Sequence, residues 1–219
     1  MPDNEVLIVG ARDVAAALEG REASVLEAVR KAYETHARGA SALPHSSFLR
    51  FPDSDEDRII CLPAYLGEHY QLAGVKWIAT MPGNVARGKA RASADIILND
   101  RVSGQPKAIH EGSIISKQRT AASAALASLV LAPGKPAAIG FVGCGPINWA
   151  IARFLATTWP DVERFMAFDL DPARAEAFCE ASCANYTGIN CTLAATLDEL
   201  LGACPMLVFG TTAIHPYVE

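Results

Sequence analysis

From residue 137 onward, apolar segments of strand length alternate with helical ones: AIGFVG, then 145–158, RFMAFDL, 172–184, GINCTL, 196–201 and MLVFGTT. Strands separated by helix-length connections cannot pair as hairpins, so a βαβαβαβ series constrains this part to a parallel, doubly wound sheet with helices on its faces. Four strands fit into the series, against six in a complete dinucleotide fold. The tract PGKP at 133–136 breaks the preceding helical pattern and sets an expected domain boundary, with one domain over 1–132 and the other over 133–219.

The residues before that boundary follow a different rhythm. A strand is expected over Glu5–Val9, then a small helix from Asp13, which can cap it, to Leu18. Glu22–Ala37 reads as an amphipathic helix: Val25, Leu26, Val29 and Tyr33 fall on one face, and Gly39 stands where a helix stops. Strands follow at Ser46–Phe51, Arg58–Leu62, Leu72–Thr80, Ala94–Asn99 and Pro106–Glu111, divided by turn-rich pieces such as PDSDED and NDRVSGQP. A helix rich in small residues then runs from Gly112 to about Leu131. The predicted architecture is α/β: an N-terminal α+β domain, then a partial Rossmann domain.

A chain of 219 residues can bury a sizeable core, and 51% hydrophobic with 20% charged residues is a globular balance. The net charge of −5 disfavours nonspecific nucleic-acid binding, so an anionic ligand would need a locally basic pocket. The start, MPDNEVLIVG, has neither the basic n-region nor the apolar run of a secretory signal, and no segment reaches membrane-span length. A cytoplasmic protein with no membrane partner is the expectation. The six cysteines (Cys61, Cys144, Cys179, Cys183, Cys191, Cys204) form no C-x-x-C pair and no zinc-ligand spacing, so they are expected to be buried free thiols, with no metal.

The strongest chemical signal is GFVGCGPIN. Gly143 makes the tight turn, Gly145 lets the backbone approach a pyrophosphate, and Cys144, Pro146 and Ile147 complete a helix N-terminus whose amides face an anion. Proline suits this first turn, having no N–H to leave unpaired. Asp169, at the end of the next strand, is placed to accept hydrogen bonds from a ribose and to repel a 2′-phosphate, which favours NAD over NADP; Arg174 nearby keeps NADP open. Asp169 and Asp171 can also be read as ordinary turn residues at a helix cap. Asn148 stands where the glycine pattern wants a small residue, and is expected to loosen or displace the contact between helix and strand.

In the first domain, Arg50, Lys76 and Arg119 carry cations in otherwise apolar or small-residue surroundings. A lysine in an apolar strand is costly unless paired, so each implies either a ligand or a structural ion pair, with Asp100 or Glu111 as candidate partners. His45, His110 and His215 could act as acid or base, or be plain surface residues.

Taken together, DRIICLPAYLG, LAGVKWIATMPGN, RASADIILND, EGSIISKQRTAASA, GFVGCGPIN and GTTAIHPYVE, in that order, resemble the ornithine cyclodeaminase/mu-crystallin superfamily, and within it the 2,3-diaminopropionate biosynthesis dehydrogenases. The resemblance implies a substrate-binding, dimer-forming first domain and an NAD-binding second one. It also implies that Arg50, Lys76 and Arg119 hold a substrate carboxylate, Lys76 being part of the catalytic site. Thr120, Thr211 and Thr212 would lie beside the cofactor. The implied activity is NAD-dependent oxidative hydrolysis of an amino-acid-derived substrate with several carboxylates, N-(2-amino-2-carboxyethyl)-L-glutamate, in a homodimer. A cyclodeaminase that borrows and returns hydride, or a noncatalytic binding protein, are the alternatives. Members of this family continue past HPYVE with further strands and an aspartate associated with catalysis, so the chain is expected to be either a piece of a longer enzyme or a short relative.

Overall fold

The computed structural model describes residues 5–213 and 215–218. Parts of two segments quoted above, residues 1–4 of the N-terminal stretch and residues 214 and 219 of GTTAIHPYVE, lie outside the described residues. Contacts divide the chain into two compact units, Met1–Arg21 with Glu27–Ser116, and Glu22–Leu26 with Lys117–Glu219. The division falls one turn into a long helix rather than after it, because the small residues of that helix bury themselves in the second unit.

The first unit is built on β1 (Leu7–Val9), α1 (Ala11–Leu18), most of α2 (Glu22–Ala37), β2 (Ser41–Ala42), β3 (Ser47–Phe51), β4 (Ser54–Leu66), β5 (Leu72–Thr80), a 3-10 helix (Pro82–Arg87), β6 (Ala92–Asn99) and β7 (Pro106–Glu111). Its sheet has the order β1-β7-β6-β5-β4-β2, with β3 also paired to β4. β1 runs parallel to β7 and the other pairs are antiparallel. Helix α1 starts at Gly10, with Asp13 inside its first turn instead of capping it. β4 is far longer than its apolar run, because PDSDED contributes only a tight turn before Ser54 re-enters the ladder opposite Phe51. In the turn joining β6 to β7, the Asp100 carboxylate accepts from the backbone N–H groups of Val102 and Ser103 at 3.0 and 2.8 Å. Those bonds, with the Ser103 hydroxyl and Lys107, hold its carboxyl down to about 2.

Register assigns the strand residues to two faces, since cross-strand partners share a face and neighbours along a strand alternate. Arg50, Arg58, Thr80, Lys76, Ile96 and His110 lie on one face. Leu49, Ile59, Cys61, Trp77, Val75, Ile97 and Ile109 lie on the other. Buried strand residues (Thr80, Ala94, Ala108) occur on the first face, whereas no described strand residue of the second face is buried.

α3 (Ser113–Leu131) opens in the first unit and continues into the second, where β8 (Ile139–Val142), α4 (Pro146–Thr158), β9 (Arg164–Phe168), α5 (Pro172–Asn185), β10 (Asn190–Leu193), α6 (Leu197–Ala203) and β11 (Met206–Phe209) alternate. The order β10-β9-β8-β11 is parallel throughout and matches the first four strands of the dinucleotide fold. Phe141 and Phe165 meet edge to face at 5.0 Å on the side covered by α4 and α5, where Phe178 and Trp149 extend the stack. The opposite side packs Val142, Met166, Phe168 and Leu207 against Leu197 and Leu200 of α6. That close approach needs Gly140, since a methyl there would meet Leu200 Cδ2 at 2.7 Å. α3 is tied to α4 by Arg153 donating to Gln118 Oε1 at 2.6 Å, and to the loop after α4 by Trp159 Nε1 donating to Ser128 Oγ at 2.9 Å.

Candidate functional site

Strand order reverses between β8 and β11, and open α/β sheets place their ligands at the carboxyl ends of the strands at such a switch point. The glycine turn sits there. Gly143 has φ +84°, and a methyl on it would meet Gly210 O at 2.8 Å and Thr211 Cγ2 at 3.1 Å, so the turn after β8 is pressed against the end of β11. Gly145 is the N-cap of α4, with Pro146 at the first helical position. Nothing lies within 4 Å of where a Cβ on Gly145 would point, leaving room for a ligand beside the first-turn amides of Gly145 and Ile147. Trp149 Nε1 donates to Cys144 O at 2.9 Å and fixes the turn from the helix side.

Asn148 does the reverse of loosening the helix. It is fully buried, and its Nδ2 donates to Val142 O at 3.1 Å, Gly143 O at 2.6 Å and, more weakly, Val208 O at 3.5 Å. One amide thus joins helix α4 to the carboxyl ends of both strands at the switch point. Gly210 supplies the space, since a methyl there would run into the Asn148 amide. Asn148 Oδ1 is left without a hydrogen-bond partner.

Asp169 closes the turn from the next strand. Its Oδ2 accepts from Cys144 N at 2.7 Å and its Oδ1 from Asp171 N at 2.9 Å. A carboxylate has about four acceptor sites, so two such bonds leave capacity for a ribose hydroxyl. Burial, with the Asp169 charge as the lesser cause, pushes the Cys144 thiol up to about 12 and keeps it protonated. Arg174, the residue that kept NADP open, is paired with Asp171 Oδ2 at 3.2 Å. Thr211 Oγ1 is 2.9 Å from the Tyr217 hydroxyl, while Thr212 is exposed and Thr120 is half-buried on α3. The residues suit a dinucleotide: an open glycine cradle at a helix N-terminus, with a carboxylate at the end of the neighbouring strand.

In the first unit, Lys76 Nζ donates to Ser116 Oγ at 3.1 Å. The two carboxylates considered as its partners have other tasks: Asp100 shapes the β6–β7 turn and pairs with Lys107, and Glu111 accepts from the first amides of α3, Ser113 N at 2.7 Å and Ile114 N at 3.0 Å. Arg50 shares the face of Lys76 and lies over Phe48, 5.8 Å from the ring centroid. Arg58, which the sequence reading passed over, is directly opposite Arg50. Like charges in opposite positions of an antiparallel pair repel, which an anion between them would relieve. His110 occupies the same face, two strands from Lys76, whereas His45 and His215 are exposed. Arg119 is exposed on α3 in the second unit.

The profile of the ornithine cyclodeaminase/mu-crystallin family matches residues 8–219. The chain belongs to that family. Among curated relatives it is 27% identical to the N-((2S)-2-amino-2-carboxyethyl)-L-glutamate dehydrogenase of Staphylococcus aureus, over 99% of this chain and 66% of that protein. It is 28% identical to an alanine dehydrogenase of Archaeoglobus fulgidus, over 98% of this chain and 63% of that protein. Among solved structures, the Thermococcus litoralis Delta(1)-pyrroline-2-carboxylate reductase in complex with NADH and L-proline superposes with a TM-score of 0.87 at 25% identity, covering 97% of this chain and 64% of that one. The chain therefore spans just under two thirds of the length of these family members. No helix among the described residues is long and apolar enough to cross a membrane.

The cysteines depart in part from expectation. Cys144, Cys179, Cys191 and Cys204 are buried free thiols, but Cys61 is half-buried and Cys183 is exposed. Cys183 is exposed although its thiol lies against the edge strand β10, where it accepts from Cys191 N at 3.2 Å.

Proposed function

We propose that this chain is the cofactor- and substrate-binding part of an NAD-dependent amino-acid dehydrogenase acting on a CH–NH bond, with N-(2-amino-2-carboxyethyl)-L-glutamate as substrate. The observation that carries the cofactor assignment is the glycine turn at the β8/β11 switch point with Asp169 beside it. The Gly145 and Ile147 amides would hold the pyrophosphate, Asp169 the ribose, and Thr120, Thr211 and Thr212 the phosphate surroundings. Bound there, NAD+ would supply the hydride acceptor for oxidation at the glutamate Cα. The resulting imine takes up water, and the products are 2,3-diaminopropionate, 2-oxoglutarate, NADH and a proton.

The chain's own residues supply charge and position. Arg50 and Arg58, opposite one another, and Lys76 on the same face supply cations for a substrate with three carboxylates, and the family resemblance gives Arg119 the same role. Lys76, held by Ser116, is the proposed catalytic-site cation. The identity to the Staphylococcus aureus dehydrogenase over almost the whole chain supports this substrate. The opposite face of the sheet, with its half-exposed apolar row, is the proposed homodimer surface.

The test follows absorbance at the NADH band. Steady growth with NAD+ and the glutamate adduct is expected; growth with L-alanine instead, or ornithine consumed with no NADH accumulating, would overturn the substrate assignment. Arg119→Ala is expected to raise the substrate KM at least tenfold with NAD affinity little changed.

A further inference from the structure

Three thiols meet where α5 leaves the sheet. Cys179 and Cys183 lie one turn apart on α5 and therefore on the same side of it, and Cys191 is in β10, the strand that follows. The Cys191 thiol donates to Cys179 Sγ at a sulfur–sulfur distance of 2.8 Å. Cys183 Sγ accepts from Cys191 N at 3.2 Å, so it lies against the backbone of the same residue. Cys179 and Cys191 are 7% and 8% exposed, whereas Cys183 is open to solvent. Among the described residues no cluster of His, Cys, Asp or Glu is arranged to hold a metal, so metal binding does not account for the grouping.

We propose that Cys179, Cys183 and Cys191 form a peroxide-reactive thiol site, with Cys183 as the point of entry and a Cys179–Cys191 disulfide as the product. Cys183 is the thiol that a small oxidant can reach. Hydrogen peroxide converts it to the sulfenic acid, Cys183–SOH, and releases one water. The Cys191 sulfur then attacks Cys183 Sγ, forming a Cys183–Cys191 disulfide and releasing the second water. The Cys179 thiolate attacks Cys191 Sγ, forms the final bond and returns Cys183 as a thiol. Two thiols are oxidised, one peroxide is reduced, and two waters leave. The last step is favoured by geometry, because the Cys179 and Cys191 sulfurs need to close by less than about 1 Å to reach a covalent separation of ~2.05 Å.

The chain has no Lys or Arg after Arg174, so trypsin leaves all three cysteines in one peptide, whereas cleavage after glutamate separates Cys179 in 177–180 from Cys183 and Cys191 in 181–199. Chymotryptic cleavage at Tyr186 then divides Cys183 from Cys191, and cleavage at Phe178 trims the Cys179 peptide to 179–180. The reduced protein is treated with equimolar hydrogen peroxide, blocked with N-ethylmaleimide, digested without reductant and read by mass spectrometry. Peptides 179–180 and 187–199 are expected joined, two hydrogens lighter than their sum, with Cys183 in 181–186 carrying the maleimide. Cys183→Ser is expected to slow the cross-link at least about tenfold while leaving the pair able to form. Cys191→Ser is expected to abolish it, with a melting temperature equal to that of the reduced parent as the check on folding. Peptides that stay separate, a link that retains Cys183, a link through Cys144, or an unchanged rate in Cys183→Ser would each overturn the proposal.

Discussion

At the scale of single residues, Asn148 shows how far identity and environment can diverge. Counted against a glycine pattern it is too large, but its amide finds three carbonyl groups, one of them Val208 O, sixty residues away in the chain. Sequence spacing reports side-chain size at a position and cannot report that distant acceptor. Nor can it show that Gly210 is what makes room. Asn148→Ala removes all three bonds and leaves a buried void. We expect a loss of about 2–3 kcal/mol in urea unfolding and at least a fivefold weaker NAD affinity by titration calorimetry. Unchanged affinity in the folded variant would confine Asn148 to a packing role. The acidic partner of the turn was easier to read: Asp169 ends a strand of recognisable length, and the structure places its carboxylate 2.7 Å from Cys144 N.

Among the elements, the parallel strands were legible to within two or three residues, because each is a short strand-forming run set off by turn residues from the helices between them. The antiparallel sheet was less so. β4 was expected to begin at Arg58 and begins at Ser54, since the acidic residues before Arg58 read as a loop, whereas the register shifts between Arg50 and Phe51 and Ser54 pairs with Phe51. With that start misplaced, the pairing of Arg58 with Arg50 was invisible, and with it half of the basic pair. α3 illustrates a signal that was present but assigned otherwise: Glu111 was weighed as an ion-pair partner for Lys76, and its carboxylate caps the helix through Ser113 N and Ile114 N. Glu111→Ala is expected to lower the denaturant midpoint by an amount equivalent to about 1 kcal/mol, with the same m-value. An unaltered midpoint would show that the cap is replaced by water.

For the whole molecule, the uneven use of the two sheet faces matters most. The face opposite Lys76 carries Leu49 at 49% and Trp77 at 44% exposure, with Ile59, Cys61, Val75 and Ile97 only half-buried between them. An apolar row of that extent is costly to leave in water, which is the physical support for the proposed homodimer. Trp77→Glu is expected to convert a dimer to a monomer in light scattering coupled to size exclusion; a dimer that survives the charge would place the interface elsewhere. The basic face has a consequence of its own. Arg50, Arg58 and Lys76 share one face of the sheet in a chain whose net charge is −5, so the remaining surface is more negative than the total suggests. A small polyanion diffusing nearby is turned away from most of the molecule and drawn toward one side, and its capture rate should fall several-fold between about 10 and 150 mM salt in stopped-flow measurements. The mutual repulsion of two facing arginines would then act as guidance for an incoming substrate well before contact.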